Sequence, residues 1–281
     1  MRKYLSLIKF SHTIFAMPFA LIGFFLATKS NEFEWMTLLY VVFCMIFARS
    51  AAMAFNRYID RDIDAANSRT AEVREIPNGS IKSNSALIFV IINSLLFVTT
   101  TYLINSLCFA LSPIALLVIL GYSYTKRFTA LCHLILGLGL ALAPIGAYLA
   151  VSGEFHIIPM LFSAAVLFWV SGFDIIYSLQ DEKFDKEQKL HSIPVLIGRK
   201  NALNLSKILH FFAFSALSIA GSLGSFSLYY WIGGFIFTSL LVYQHVLVKH
   251  NDLSKINLAF FTTNGIASII FGGFVLIDIL N

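Results

Sequence analysis

The sequence predicts an all-α, multi-pass membrane protein, and three observations carry that prediction. Of its 281 residues, 58% are hydrophobic and only 12% charged, with mean hydropathy +0.79, whereas soluble domains run about 45–50% apolar and about 25% charged. A globule of this size still needs a polar skin, so that much apolar side chain has no core to enter. Apolar runs recur along the whole chain at close to the roughly 20 residues that a helix needs to cross about 30 Å of hydrocarbon. The Lys and Arg residues, finally, fall almost entirely on one side when those runs are taken as alternating spans. Together these exclude an ordinary cytosolic enzyme.

Taken in order, the runs fall near 12–28, 36–56, 83–104, 107–124, 131–151, 157–178, 202–222, 228–248 and 256–279, nine spans in a single domain over residues 1–281. The first follows MRKYLSLIKF, which opens like a signal peptide. No small-residue cleavage site closes a short apolar core there and eight further runs follow, so it reads as the first helix. The second carries Arg49 inside it and runs into a charged connection, 57–82. The fourth ends on YSYTKR, and the sixth runs into a second charged connection, 179–201. Tyr and Trp gather near the expected ends (Trp35, Tyr40, Tyr122, Tyr124, Tyr229, Tyr230, Trp231), as an interfacial aromatic belt does. Cys44, Cys108 and Cys132 are dispersed in apolar surroundings without metal-ligand spacing and read as packing residues.

With nine spans, 18 of the 20 Lys and Arg residues lie on one side, Lys29 alone lies on the other, and Arg49 is within a span. Positive charge stays cytoplasmic, which places the N-terminus inside and the C-terminus outside. The +5 net charge is then an orientation signal confined to membrane ends, and no nucleic acid partner is expected. Both long charged connections fall on the cytoplasmic side, so chemistry is expected at that face.

The first of these opens with NRYIDRDIDAANSRTAEVREIPNG, from Asn56 to Gly79. On a helix continuing from the second span, Asn56, Asp60 and Asp64 share one face at i, i+4 and i+8, while Asp62 points to water. The second opens with DIIYSLQDEKFDKEQKLHSIP, where Asp174, Asp181 and Asp185 again share a face with Tyr177 among them. Like charges on one face repel, so a cation is expected to compensate. Mg²⁺ suits such a place, since it prefers oxygen ligands and bridges one or two carboxylates to substrate phosphates. Arg69, Arg74, Lys126, Arg127 and Lys189 lie around the acids and suit the remaining charge of a diphosphate. The competing reading is of solvated loop acids partnered by Arg61, Arg57 and Lys183. Asp174 stands at membrane depth, where a carboxylate is costly and functional by default.

At these segments the sequence resembles the UbiA superfamily of intramembrane prenyltransferases, and the resemblance runs over most of the chain. Its NDxxDxxxD motif appears as NRYIDRDID, with Asn56, Asp60 and Asp64 in place, and DxxYxxxDxxxD is complete as Asp174, Tyr177, Asp181 and Asp185. RTAEVREIPNG is similar to RTxxRPxPxG, and YSYTKR to YxxxK, giving Tyr122 and Lys126. Two positions depart: Arg57 stands where the first motif often has Asp, and Glu75 where a proline follows Arg74. The resemblance implies a helix bundle around a central cavity in the cell (inner) membrane, among membrane lipids, with a polyprenyl diphosphate donor and Mg²⁺ as cofactor.

By the same resemblance, Asn56, Asp60, Asp64, Asp174, Asp181 and Asp185 would hold the metal, the five aspartates carrying catalysis. Arg69, Arg74, Lys126 and Lys189, with Tyr122 and Tyr177, would bind the diphosphate. Arg49 lies two turns deeper than Asn56 on nearly the same face, and a buried arginine wants an anion. With His12 and Arg127 it is expected to hold an aromatic acid acceptor. The segments SHTIFAMPF and ARSAAMAFNRYIDRDIDAANSRT are most similar to 4-hydroxybenzoate polyprenyltransferase-like members of quinone biosynthesis, with naphthoate, homogentisate and haem acceptors open. A reading from another class is a secondary transporter, with Pro18, Pro113 or Pro144 breaking helices at midplane. It leaves unexplained why nearly all the acids gather at one face.

Overall fold

The computed structural model describes residues 2–8 and 15–281, so His12 and the start of the first expected span lie outside the described residues. Among the described residues the regular elements are all helices, in the order α1 (Arg2–Leu7), α2 (Met17–Ala27), α3 (Trp35–Ile59), α4 (Arg61–Ala66), α5 (Ser83–Ile104) and α6 (Ser106–Thr125). There follow α7 (Cys132–Ser152), α8 (Ile157–Ser178), α9 (Glu182–Glu187), α10 (Ile193–Leu223), α11 (Leu228–Leu247) and α12 (Asn264–Leu280). Helices are the expected solution, because in hydrocarbon every backbone donor and acceptor must be satisfied within its own segment.

Eight helical stretches among the described residues are long and apolar enough to cross a membrane, and they match the second to ninth expected runs. The described part of the first run is α2, which at 11 residues falls short of the roughly 20 that a crossing needs. The largest boundary difference is at α10, which starts at Ile193 rather than near 202. A kink at Gly198, with φ 74, separates its short apolar start from the rest of the helix, and just beyond it Arg199 pairs with Glu182. Helices α6 and α7 continue through Pro113 and Pro144, and Pro18 sits in the first turn of α2. None of these prolines produces the broken helix that a transporter reading wants.

The main core lies among α2, α7, α8, α10, α11 and α12 and is built on fully buried rings. Trp169 meets Phe19 at 5.5 Å and Phe237 at 5.3 Å between ring centroids, and Phe271 meets Phe237 at 5.3 Å. A second, smaller cluster joins α1, α3 and α5 through Leu7, Ala51, Ala54 and Val90. Leu95, Leu117 and Phe235 are exposed and face hydrocarbon. Between lipid-solvated helices the attraction is packing, so small residues sit at the crossings. A Cβ at Gly23 would collide with the Pro144 carbonyl, and one at Gly137 would stand 2.5 Å from the Leu167 oxygen.

Gly137→Val is therefore expected to force α7 from α8 and cost about 1–3 kcal/mol. Gly234→Ala, where nothing stands within 4 Å, is expected to be neutral or stabilising. Thermal midpoints of the two variants in one detergent check the contrast.

Candidate active site

Both acidic motifs lie where long helices break near the same end of the bundle. The sequence suggests one continuous helix through Asn56, Asp60 and Asp64, but Asp60 (φ −88, ψ 5) ends α3 and a new helix, α4, starts at Arg61. The break keeps the acids in step, because Asp60 N–H still donates to the Asn56 carbonyl at 2.9 Å and Asp64 N–H to the Asp60 carbonyl at 2.7 Å. The second motif behaves alike: α8 ends at Ser178, a tight turn covers Leu179–Asp181, and α9 carries Asp185. Each acid beyond the membrane helix thus rests on a short, adjustable element.

The acids are not solvated loop charges: Asp64 is 5% exposed and Asp185 0%. Every aspartate of the two motifs has a basic partner, and none of these is Arg61, Arg57 or Lys183. Arg127 Nη1 reaches Asp60 Oδ1 at 3.0 Å, Arg74 pairs with Asp64, and Lys126 Nζ reaches Asp185 Oδ1 at 2.7 Å. Arg69 binds Asp181 with two nitrogens, Nη2 at 2.6 Å and Nε at 3.1 Å. His133 Nδ1 meets Asp174 Oδ2 at 2.7 Å. Arg69 comes from the first connection and Asp181 from the second, and Asn67 Nδ2 adds a bond to Asp181 at 3.2 Å. The two motifs are one site.

Burial pushes the Asp60 carboxyl above the usual carboxylate range, against the downward pull of Arg127. Burial would lower the Arg69 guanidinium, but its hydrogen bonds to Asp181 outweigh that and raise it. Tyr177 helps fix Arg69: its hydroxyl accepts from Nη1 at 3.3 Å and its ring stacks on Phe260 at 4.1 Å.

The donor set suits a divalent cation that shares its shell with a substrate. Among the described residues no three His, Cys, Asp or Glu side chains form a ready cage, and Mg²⁺ needs none, taking one or two carboxylates with waters and phosphate oxygens. Asp185, wholly buried, has neither carboxylate oxygen in a well-formed hydrogen bond beyond the Lys126 contact. Asn56 fits less well. Its amide oxygen accepts from Arg57 Nη1 at 2.9 Å and its amide nitrogen faces Asp60 Oδ2 at 2.9 Å. Arg57, the departure from the first motif, is thereby a buried brace, and Glu75, the second, is buried against Ser6 of α1.

Beside the acids a cavity of about 380 Å³ runs between α3, α5, α6 and α7, lined almost wholly by apolar side chains. Arg49 and Tyr122 line it, one or two helical turns below Asn56 and Lys126. Arg49 Nε is buried there without a hydrogen-bond partner. Arg127, expected at the acceptor, is instead committed to Asp60, with Nη2 also donating to the Ile59 carbonyl at 2.8 Å. Lys189, expected at the diphosphate, is exposed on a left-handed turn residue (φ 55). Sequence reasoning missed His133 and Asn67. A lone histidine in an apolar run and an asparagine in a polar loop carry no spacing signal.

Stripping a partner from a buried charge is costly, about 3–5 kcal/mol, while a solvent-exposed pair contributes about 0–1 kcal/mol. Side-chain exposure is 7% for Asp64 and 22% for Arg74, against 14% for Asp181 and 35% for Arg69. Arg74→Met is expected to lower the thermal midpoint of the ligand-free protein more than Arg69→Met, as melting in detergent without divalent ions would show.

The profile of the UbiA prenyltransferase family matches residues 16–266. The chain is 30% identical over 250 residues to the 4-hydroxybenzoate octaprenyltransferase of Thiobacillus denitrificans, covering 88% of this chain and 84% of that one. The apo structure of a UbiA homolog from Aeropyrum pernix K1 superposes with a TM-score of 0.86 at 29% identity, over 95% of this chain and 98% of that one. A UbiA homolog from Archaeoglobus fulgidus bound to GPP and Mg²⁺ shares the fold, with a TM-score of 0.74 at 20% identity over 99% and 100% of the two chains. With both motifs joined in one site at the end of an all-helical bundle, the chain belongs to the UbiA prenyltransferase family.

Proposed function

We propose that the protein transfers a polyprenyl group from a polyprenyl diphosphate to an aromatic acid, 4-hydroxybenzoate or a near relative, for quinone biosynthesis, with Mg²⁺ as cofactor. The observation that carries this reading is the position of the paired acids, beside an apolar cavity on whose wall the Arg49 Nε is buried without a hydrogen-bond partner. The name of the Thiobacillus denitrificans relative supports the acceptor, and the Archaeoglobus fulgidus complex supports the donor and the metal. The positive-inside pattern supports a site at the cytoplasmic face, which in this reading is that of the inner membrane.

Bound between Asp60, Asp64, Asp174, Asp181 and Asp185, Mg²⁺ would supply Lewis acidity to the leaving diphosphate. The protein's own part is an exchange of partners. Arg69, Arg74 and Lys126, freed from their carboxylates, turn to the diphosphate oxygens and stabilise the charge that develops as the allylic C–O bond breaks. The cavity keeps water from the resulting allylic cation, and the ring faces of Tyr122 and Phe97 on its wall stabilise positive charge. Arg49 holds the acceptor carboxylate so that the electron-rich ring faces the cation.

The test is transfer of labelled geranyl or longer polyprenyl diphosphate to 4-hydroxybenzoate in membranes. Product is expected to need Mg²⁺, to vanish with EDTA, and to fall about 100-fold or more in Asp60→Ala and Asp181→Ala. Donor turnover without that product would reject 4-hydroxybenzoate and direct the assay to naphthoates, homogentisate and haem. No turnover at all would sink the enzyme reading. Arg49→Ala is expected to raise the acceptor KM about 10-fold or more, the worth of a hydrogen bond to a charged group, with the donor KM little changed.

A further inference from the structure

Four of the five motif aspartates face Lys or Arg. Asp174 alone faces a histidine, and His133 has a second commitment. Its ring is buried, and while Nδ1 lies 2.7 Å from Asp174 Oδ2, Nε2 lies 3.3 Å from the backbone nitrogen of Ile193. An amide N–H can only donate, so Nε2 accepts and the ring proton sits on Nδ1, directed at the carboxylate. Ile193 is the first residue of α10, where backbone N–H groups have no partner within the helix. Its N-cap, Ser192, makes no side-chain cap, and the next residue, Pro194, has no N–H. His133 supplies the cap from another helix.

The surrounding contacts make this a clamp. His191 N–H donates to the Lys126 carbonyl at 2.8 Å, Leu190 N–H to the Asp185 carbonyl at 2.8 Å, and Cys132 Sγ lies 3.6 Å from the His191 carbonyl oxygen. The segment leaving the second motif is thus fastened to the start of α7, the same turn that presents the Nδ1–H to Asp174. Lys126, whose carbonyl is used here, also holds Asp185 through its side chain.

We infer that His133 is a positioning residue for prenyl transfer: it orients the Asp174 carboxylate toward the cation by a single hydrogen bond, with its own tautomer fixed by the start of α10. The inference rests on the reading of Asp174 as part of the cation site. Partners that orient metal-binding side chains typically contribute about 10–100-fold in metal affinity or activity.

The experiment is a titration of the full-length protein in detergent with Mn²⁺, followed by electron paramagnetic resonance in the presence of geranyl diphosphate, beside steady-state kinetics and thermal midpoints without metal. His133→Leu, which offers neither donor nor acceptor, is expected to weaken Mn²⁺ binding about 10-fold or more and to lower kcat, the acceptor KM staying put. His133→Gln carries a donor and an acceptor on one amide and is expected to recover most of that loss. His133→Asn keeps a donor where Nδ1 stands but is too short to cap Ile193, so it should retain Mn²⁺ affinity with a lowered midpoint. Wild-type affinity in His133→Leu, with binding impaired in Asp174→Ala, overturns the positioning role and leaves the site intact. So does His133→Asn as impaired as Asp174→Ala, the deciding result if the Leu variant does not fold. Wild-type Mn²⁺ affinity in Asp174→Ala would instead remove Asp174 from the cation site, and the inference with it.

Discussion

Carboxylates withdrawn from water must be matched by positive charge, and this requirement organises the whole charged end of the molecule. A buried, unpaired carboxylate costs several kcal/mol. Four of the five motif aspartates therefore bring Lys or Arg side chains with them, from the connection after α4 and from the end of α6, and the fifth, Asp174, takes a hydrogen bond from His133 at the start of α7. Those pairings help decide where the loops lie. Arg69 crosses from the first motif to the second, and Arg127 reaches from α6 to the end of α3. A site built this way already contains cations, and its motif carboxylates are partnered without any ligand.

The long helices were legible in the sequence because lipid imposes one simple rule, a run of apolar residues of fixed length. Seven of the eight stretches that match an expected run begin within about two residues of it. The exception, α10, is instructive, since a kink at Gly198 and the charged turn after it, where Arg199 pairs with Glu182, separate a short apolar start from the span itself. The motif acids were also legible, because helical spacing brings them onto one face. Their partners were not. Which of 20 Lys and Arg residues would face which aspartate depends on how the ends of three helices meet, and nearby Arg61 and Lys183 were the natural but wrong neighbours. His133 was hidden for a related reason, since its two bonds run to residues 41 and 60 positions away.

The division of labour between the helices has a consequence for how such a protein changes over generations. The interlocked rings of the core belong chiefly to α2, α8, α11 and α12, whereas the cavity wall is drawn chiefly from α3, α5, α6 and α7. Helix α7 lines the cavity and also packs Ala141 against the core. Substitutions that reshape the cavity through Ala48, Ala115 or Val118 leave the aromatic core untouched, so under the proposed function tolerance for a new acceptor or a different chain can drift without a toll on foldedness. Along α7, where Pro144 and Gly137 are pressed against neighbouring helices, the two demands meet, and selection has the least room to move.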